Sequence, residues 1–365
     1  MWFQRLEIQD LRNLASVAVD LGPGLNYFYG PNGAGKTAVL EAVHLLARGR
    51  SFRTQQFGDV IRRDQQALLV RAVVRDEHRG EQRLGVSRGR TGRTELRING
   101  ETERRLSQAA ELLPLQVMVP ALSDLVFGGP NLRRQWLDWG LFHVEHGYLK
   151  VLRSYLHALR QRNAALKAMA AGRLLERGLD VWTEEVANLA EAVTEAREAY
   201  LDALTDDIRS VMSDLAPSLD VAVTYQRGWP AGQSIRKVLG DSLPREVKWG
   251  ATQSGPHRGD VRLRVAGLDA GSTLSRGQGK SLACGMMLAQ ARQLRKTAKR
   301  SSVFLIDDIG AELDVAHSDR FFGLLKDQGS QVLATSSEAP GSLAGVPEMD
   351  TVMFHVEHGE VRPTR

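Results

Sequence analysis

The chain contains a single cysteine, Cys284, among its 365 residues. One thiol excludes a disulfide within the chain and a zinc site built from several cysteines. The first residues, MWFQRLEIQDLRN, also lack the cationic and then apolar pattern of a secretory signal peptide. Scarce cysteine and a missing signal pattern both favour a reducing compartment, so we expect a cytoplasmic protein.

Long apolar runs and a large excess of one charge are also lacking. The most apolar region, 112–127, contains Pro114, Pro120 and Asp124, which excludes a membrane-spanning helix there and predicts no membrane partner. Lys and Arg total 48 against 43 Asp and Glu, a net charge of +5. That modest excess fits a nucleic-acid partner and equally fits a mildly basic enzyme.

Segments with the period of a strand dominate the first third of the chain. Alternating residues through 2–29 predict strands that lead into a glycine-rich turn. Residues 36–47 have the period of a helix, with apolar residues on one face. Antiparallel strands are predicted over 68–100, where Asn99-Gly100 indicates a hairpin.

A helical pattern interrupts this α/β pattern in the middle of the chain. From about 130 to 215 the 3.6-residue period predicts two long helices, and β character returns after 220. We therefore predict an α/β head formed from 1–120 and 218–365, with an inserted helical lobe over 121–217. The two ends of the chain must then meet in one sheet.

A glycine-rich segment lies between a predicted strand and a predicted helix. It matches the pattern G-x-x-x-x-G-K-[ST], whose backbone N–H groups and helix N-terminus bind nucleotide phosphates. Its residues are Gly30, Pro31, Asn32, Gly33, Ala34, Gly35, Lys36 and Thr37. We expect Lys36 to contact the β- and γ-phosphates and Thr37 to hold Mg²⁺. The alternative is a chance glycine-rich turn, which the strand and helix on either side disfavour.

A second candidate element is the apolar strand in VFLIDDIGAELD, residues 303–314, which ends in two aspartates. Asp307 is predicted to bind Mg²⁺, and Asp308 to orient the attacking water or to act as the base. Alone this pattern is weak. Beside a phosphate loop it gains weight, because parallel strands place both elements at one edge of the sheet.

The third element, TLSRGQGK, precedes a long apolar helix. Ser275 suits a helix cap and Gly277 allows close backbone approach, so a simple capped helix remains open. The run from Leu274 to Gln278 is similar to the signature of ABC-type ATPases, which binds the γ-phosphate held by a second ATPase unit. That resemblance implies that Ser275, Gly277 and Gln278 contact ATP on another copy, within a two-fold homodimer.

Further segments resemble the RecF family of bacterial DNA replication and repair proteins, in the SMC-like branch of that superfamily. These segments are GPNGAGKTAVLEAVHLLARGRSFR, GGPNLRRQWLDWGLFH, LRQRNAALK, GPHR, TLSRGQGK and LIDDIGAELD. The resemblance implies an ABC-type head with a helical lobe, ATP-dependent dimerisation on DNA and weak, DNA-stimulated hydrolysis. It also implies a role with RecO and RecR in bringing RecA to single-strand gaps, and a part in the DNA damage (SOS) response.

The resemblance also implies roles for single residues. Gln116 matches the glutamine that senses Mg²⁺ and the attacking water, although a plain strand residue remains possible. Asp314 matches an aspartate that contacts the partner chain. A γ-phosphate sensor is expected near ATSS, where this chain offers Thr335, Ser336 and Ser337 without indicating which one acts. Asp308 stands where most transporters have glutamate, and its shorter reach suits a slow switch.

Two groups of basic residues are candidates for DNA contacts. On antiparallel strands alternate arginines share a face that can follow phosphates without reading bases, although a solvated sheet face explains them equally well. The first group comprises Arg88, Arg90, Arg93, Arg97, Arg104 and Arg105, and the second Arg133, Arg134, Arg160, Arg162 and Lys167. We expect binding to single- and double-stranded gapped DNA without sequence preference. The main alternative function is an SMC-like ATPase that acts as a turnover-driven motor or structural component.

Overall fold

The computed structural model describes residues 1–92, 94–173, 177–309, 315–338 and 350–364. Strands and helices in this part are numbered here in chain order. The strands are β1 Trp2–Leu11, β2 Leu14–Asp20, β3 Leu25–Tyr29, β4 Ala67–Asp76, β5 Gly80–Gly89, β6 Glu95–Ile98, β7 Glu101–Glu103, β8 Leu115–Met118, β9 Val221–Gln226, β10 Asp260–Val265, β11 Leu268–Asp269, β12 Val303–Ile306, β13 Gln331–Ser336, β14 Thr351–Glu357 and β15 Glu360–Thr364. The α-helices are α1 Lys36–Arg48, α2 Leu106–Leu112, α3 Asp124–Phe127, α4 Pro130–Val144, α5 Tyr148–Ala170, α6 Arg177–Leu215, α7 Ile235–Asp241, α8 Leu243–Trp249, α9 Ala270–Thr273, α10 Arg276–Ala298 and α11 Val315–Asp327.

The chain forms two compact units. The first comprises Met1–Leu122, Asp214–Ala216 and Lys280–Arg365, and the second comprises Ser123–Ser213 and Pro217–Gly279. The predicted helical lobe ended at 217, whereas the compact second unit continues to Gly279. The difference arises because β9, β10 and β11 form a sheet of their own, and β10 packs against α4 and α9. The domain boundaries themselves stay a prediction.

The first unit contains two six-stranded sheets. One is antiparallel, in the order β2-β1-β4-β5-β6-β7, and the other is mixed, in the order β15-β14-β3-β13-β12-β8. In the mixed sheet β3 pairs in parallel with both β13 and β14, which confirms that the two ends of the chain meet in one sheet. Helix α1 packs against β1, β4 and β5 of the antiparallel sheet and β13 of the mixed sheet.

The side-chain pattern of each strand explains its place in the first unit. Strand β3 is buried along almost its whole length, as expected for a central parallel strand covered on both faces. Strand β4 instead alternates: Val70 and Ala72 face the core, whereas Arg71 is exposed on the outer face. The predicted hairpin at Asn99-Gly100 is confirmed, with φ of 52° and 90° at the two positions.

The second unit is mainly helical and contains buried charges that are ion-paired. Arg162 on α5 lies 2.7 Å from Glu246, and both side chains are completely buried. Arg197 on α6 donates from Nε and Nη2 to the two carboxylate oxygens of Asp138, each over 2.9 Å. Removing one partner of such a pair leaves an uncompensated buried charge, so these contacts fix the packing of the helices. None of the described helices combines the length and the apolar run needed to cross a bilayer.

Candidate functional site

The glycine-rich loop joins the end of β3 to the start of α1, as the sequence predicts. Gly30 and Gly35 have φ of 148° and 119°, in a region that side chains disfavour. A Cβ at Gly30 would lie 2.1 Å from the Val356 oxygen, and one at Gly35 would lie 2.7 Å from Leu14 Cδ2. Only glycine therefore fits at these two positions.

The side chain of Lys36 is buried beneath this loop. Its Nζ donates to the carbonyl oxygens of Gly30 at 2.7 Å and Pro31 at 2.9 Å. Burial lowers the pKa of Lys36, and the negative charges of Asp308 and Asp307 oppose that shift. The ammonium is thus held inside the loop that would surround a phosphate, while Pro31, Asn32 and Gly33 are exposed.

Asp307 lies directly after β12 and accepts two hydroxyl hydrogen bonds on one oxygen. Thr37 Oγ1 donates to Asp307 Oδ1 over 2.9 Å, and Thr335 Oγ1 donates to the same atom over 2.8 Å. Strand β13, which carries Thr335, lies between β3 and β12, so the carboxyl ends of three parallel strands meet here. The structure therefore brings together the phosphate loop and the acidic strand.

Asp308 follows in a left-handed conformation, with φ of 58°. Its backbone N–H donates to Thr335 Oγ1 over 2.8 Å, and its side chain is exposed. Among the three sensor candidates, Ser336 Oγ instead accepts from the Glu338 N–H at 3.1 Å, and Ser337 is exposed. Thr335 is therefore the candidate that contacts the acidic pair.

Gln116 lies in β8, away from the end of the strand. It pairs with Phe304, three residues before Asp307, so about 10 Å of strand separates the two positions. The side chain is buried, and its Nε2 has no hydrogen-bond partner among the described residues. Among the described residues no hydrogen bond joins Gln116 to Asp307 or Thr37, so its catalytic and metal-sensing role stays a prediction.

The turn at Ser275–Gln278 begins α10 with a reciprocal pair of hydrogen bonds. The Gln278 N–H donates to Ser275 Oγ over 3.3 Å, and the Ser275 N–H donates to Gln278 Oε1 over 3.0 Å. This is a capping box, so the capped helix is confirmed. Ser275, Gly277 and Gln278 are all exposed, and a Cβ at Gly277 would meet no described atom within 4 Å. Asp314 lies outside the described residues.

Asn13, which sequence reasoning missed, contacts the phosphate loop directly. Its Nδ2 donates to the carbonyl oxygens of Gly33 at 3.1 Å and Ala34 at 2.9 Å. Its neighbour Arg12 donates from Nε and Nη2 to the two oxygens of the buried Glu41 on α1. Asn13 and Arg12 therefore fasten the β1–β2 turn to the loop and the helix. In the sequence both residues fall within 2–29, where the pattern predicts strands and gives no sign of a contact with the loop.

Some of the basic residues predicted to contact DNA are exposed, whereas others are engaged in contacts within the protein. The prediction that Arg133 and Arg162 are available for DNA is wrong, because both side chains are buried in ion pairs. Arg133 pairs with Asp260, and Arg162 pairs with Glu246. Arg90 donates to the carbonyl oxygens of Gln65, Gly58 and Arg62. Arg88 lies over the Phe57 ring, and Arg134 donates to the Gly259 oxygen. Arg93 lies outside the described residues. The candidates that remain exposed are Arg97, Arg104, Arg105, Arg160 and Lys167.

Comparisons with known proteins agree with these features. The sequence model described as "RecF/RecN/SMC N terminal domain" matches residues 2–359. Proteins of Shewanella loihica and Shewanella oneidensis, each described as DNA replication and repair protein RecF, are both 38% identical to this chain. The alignments extend over 361 residues, 99% of both chains, and over 357 residues, 98% of both chains.

Solved structures share the fold. A structure described as the recombination mediator protein RecF-ATP in the RecFOR pathway has a TM-score of 0.89 at 24% identity, covering 100% of this chain and 98% of the other. The Smc head domain from Pyrococcus furiosus, bound to the C-terminal domain of ScpA, has a TM-score of 0.60 at 15% identity, covering 100% and 96%. The predicted fold class, an ABC-type ATPase head with a helical lobe, is confirmed. The chain belongs to the RecF family of DNA replication and repair proteins, within the RecF/RecN/SMC group of ABC-type ATPases.

Proposed function

We propose that the protein is an ATP-gated, DNA-binding switch of replication and recombinational repair. In this proposal two copies close on DNA around two ATP molecules, and slow hydrolysis opens the dimer again. The observation that carries the proposal is the hydrogen-bonded group of Thr37, Asp307 and Thr335 beside the phosphate loop. In this group a hydroxyl and a carboxylate lie together at the position where the β- and γ-phosphates of a bound nucleotide would lie.

The residues present fit Mg²⁺ with a nucleotide. Thr37 Oγ1 and Asp307 Oδ1 lie 2.9 Å apart, and Mg²⁺ prefers oxygen ligands of this kind together with substrate phosphates. The ion would supply neutralisation of phosphate charge. Lys36 would transfer its hydrogen bonds from the Gly30 and Pro31 carbonyls to the β- and γ-phosphates.

Hydrolysis requires a positioned water on the far side of the γ-phosphate. Asp308 is the proposed orienting group or base, since its carboxylate is exposed while its backbone is fixed by Thr335. Gln116 is proposed to sense the metal and the water, which requires its side chain to change position when nucleotide binds. A single orienting aspartate and a remote glutamine suit slow turnover.

The exposed Ser275–Gln278 turn supports a site completed by a second copy. In the proposed homodimer Ser275, Gly277 and Gln278 of one copy contact the γ-phosphate held by the loop of the other. The same scheme includes RecR and RecO as partners, with RecA loaded indirectly at single-strand gaps. Because bacterial DNA lies in the cytoplasm, this role places the protein there.

Light scattering with Mg-ATP, with and without gapped DNA, tests the proposal. We expect the wild type to change from monomer to dimer with ATP, and Lys36→Met to remain monomeric because it loses the phosphate-binding cation. Ser275→Arg should bind ATP but neither dimerise nor hydrolyse it. Ser213→Arg, the same change at an exposed position on α6, is the control.

Two results would decide against the proposal. Normal ATP hydrolysis by monomeric Ser275→Arg would refute the shared site. Fast turnover that continues without any change between monomer and dimer would favour the alternative, an SMC-like motor or structural ATPase.

A further inference from the structure

Gly85 occupies the middle of β5, a strand paired on both sides. Glycine inside a strand lowers stability, because it has no side chain to pack and loses more backbone entropy on folding. The described neighbours do not require it: a Cβ would make only ordinary contacts, 3.8 Å from Arg71 Cγ and 4.0 Å from the Val70 oxygen, and φ is not positive. Such a glycine often marks close approach by another molecule.

Two arginines lie directly across from Gly85, one on each neighbouring strand. Arg71 of β4 and Arg97 of β6 are both in register with it, so all three residues share the outer face of the sheet. Neighbouring strands are about 4.8 Å apart, which separates the two arginine backbones by about 10 Å with no side chain between them.

Arg71 and Arg97 are exposed, and neither forms a hydrogen bond or ion pair with any described residue. Other arginines of this face differ. Arg5 donates to Glu7 and Asp20, and Arg83 donates to Glu81. Glu7 is the β1 neighbour of Arg71, but it is paired with Arg5. The two guanidinium groups beside Gly85 are therefore available to bind an anion from outside the chain.

The outer face forms a cavity of about 530 Å³ here. Its lining contains Arg71, Arg83 and Arg97 together with Asp10 and Glu95. Arg83 is paired with Glu81 and Asp10 with Arg62, which leaves the guanidinium groups of Arg71 and Arg97 against the single carboxylate of Glu95. The balance is positive, and Gly85 leaves space between the arginines. A flexible chain of phosphates matches such a surface better than a bulky apolar group does.

We propose that this surface, the Gly85 cleft (Arg71, Gly85 and Arg97), binds the phosphate backbone of DNA. This inference rests on the proposed DNA-binding function and assigns it a location. Arg71 and Arg97 each contact one phosphate, and the bare backbone at Gly85 lets the sugar-phosphate chain approach the sheet. Contacts of this kind are independent of sequence and weaken as salt rises.

Anisotropy titrations of a labelled duplex and a single strand of equal length, across a salt series with Mg-ATP, test the cleft. The double variant Arg71→Gln with Arg97→Gln should bind more weakly and flatten the slope of log K against log salt by about 2, since each lost phosphate contact removes about 0.9. Arg209→Gln with Arg236→Gln removes two exposed, ion-paired arginines of the second unit and is the matched control.

Substitution of Gly85 gives a second test that keeps both arginines. A Cβ at Gly85 meets only ordinary contacts and threonine favours a strand, so in Gly85→Thr the melting temperature should hold or rise while DNA affinity falls. Gly85→Glu should reduce affinity further, because its carboxylate neutralises the arginines and repels phosphate. Both variants should bind ATP like the wild type.

The outcomes separate the location from the function. If the wild type binds DNA and the arginine and Gly85 variants match its affinity and salt slope, the Gly85 cleft is refuted while the proposed function stands. If the wild type binds neither form of DNA at any salt, both fail. A loss confined to the duplex or to the single strand supports the cleft and identifies the form it takes.

Discussion

Thr335 joins the two acidic residues of the site through one hydroxyl. It donates to Asp307 Oδ1 and accepts from the Asp308 N–H, each over 2.8 Å, and its side chain is almost fully buried. Thr335→Val keeps the shape of the side chain and removes the hydroxyl. The change therefore deletes both hydrogen bonds without opening a large cavity.

The two lost bonds set the size of the effect. A hydrogen bond to a carboxylate contributes about 1.5–3 kcal/mol and one to a backbone N–H about 0.5–1.5 kcal/mol, which sums to about 2–4 kcal/mol. The sum is an upper value, because Thr37 still donates to Asp307 and water reaches the exposed Asp308. The same loss frees the Asp308 backbone from its left-handed conformation and so displaces its carboxylate.

Urea unfolding and ATP turnover measure the two consequences. We expect Thr335→Val to lose about 2 kcal/mol of stability and about tenfold or more in hydrolysis, since about 1.4 kcal/mol of lost positioning is tenfold in rate. Affinity for ATP should change less. Thr335→Ser keeps the hydroxyl and is the control, with a cost of about 1 kcal/mol for the methyl group. If valine and serine variants unfold and hydrolyse alike, the hydroxyl does not organise the pair.

Two further predictions concern the loop and a buried histidine. Asn13→Ala should weaken ATP binding about five- to thirtyfold, from the loss of two hydrogen bonds to the loop. Asn13→Asp, which lacks the donor and adds a negative charge beside the loop, should weaken it at least as much in a fluorescent-nucleotide titration. His257 accepts from Tyr155, and burial lowers its pKa from 6.5 to about 4. Below pH 6.5 the His257 side chain therefore binds a proton in the unfolded state but stays neutral in the native state. The unfolding free energy should fall by about 1.4 kcal/mol per pH unit between 6.5 and 4, and His257→Gln should remove that part of the slope. The pKa of His44 is lowered in the same way, but His44 is present in both the wild type and the variant, so its contribution cancels in the difference between their slopes.

Local patterns predicted the parts of the site whose geometry follows from adjacent residues. The strand, glycine loop and helix around Lys36 have one compatible arrangement, and parallel pairing then brings Asp307 to the same sheet edge. Contacts between distant residues were not predictable. Arg133 and Arg162 read as surface cations because their acidic partners lie 127 and 84 residues away. Asn13 escaped notice for the same reason, since nothing near it in the chain points to Gly33.

The Ser275–Gln278 turn is compatible with two interpretations at once, the helix cap that is observed and the phosphate contact that is proposed. In the capping box the Ser275 hydroxyl oxygen accepts a hydrogen bond from the Gln278 N–H. This uses one lone pair of the oxygen and leaves the hydroxyl proton able to donate a second hydrogen bond. That proton is the group a phosphate oxygen would accept. The cap, typically about 1 kcal/mol in such helices, therefore holds the hydroxyl in place and does not compete with a phosphate for it. Ser275→Asp separates the two roles, because aspartate caps a helix well but has no proton to donate and repels phosphate. We expect it to keep the melting temperature of the wild type and to lose ATP-dependent dimerisation, and normal dimerisation by this variant would reduce the turn to a helix cap.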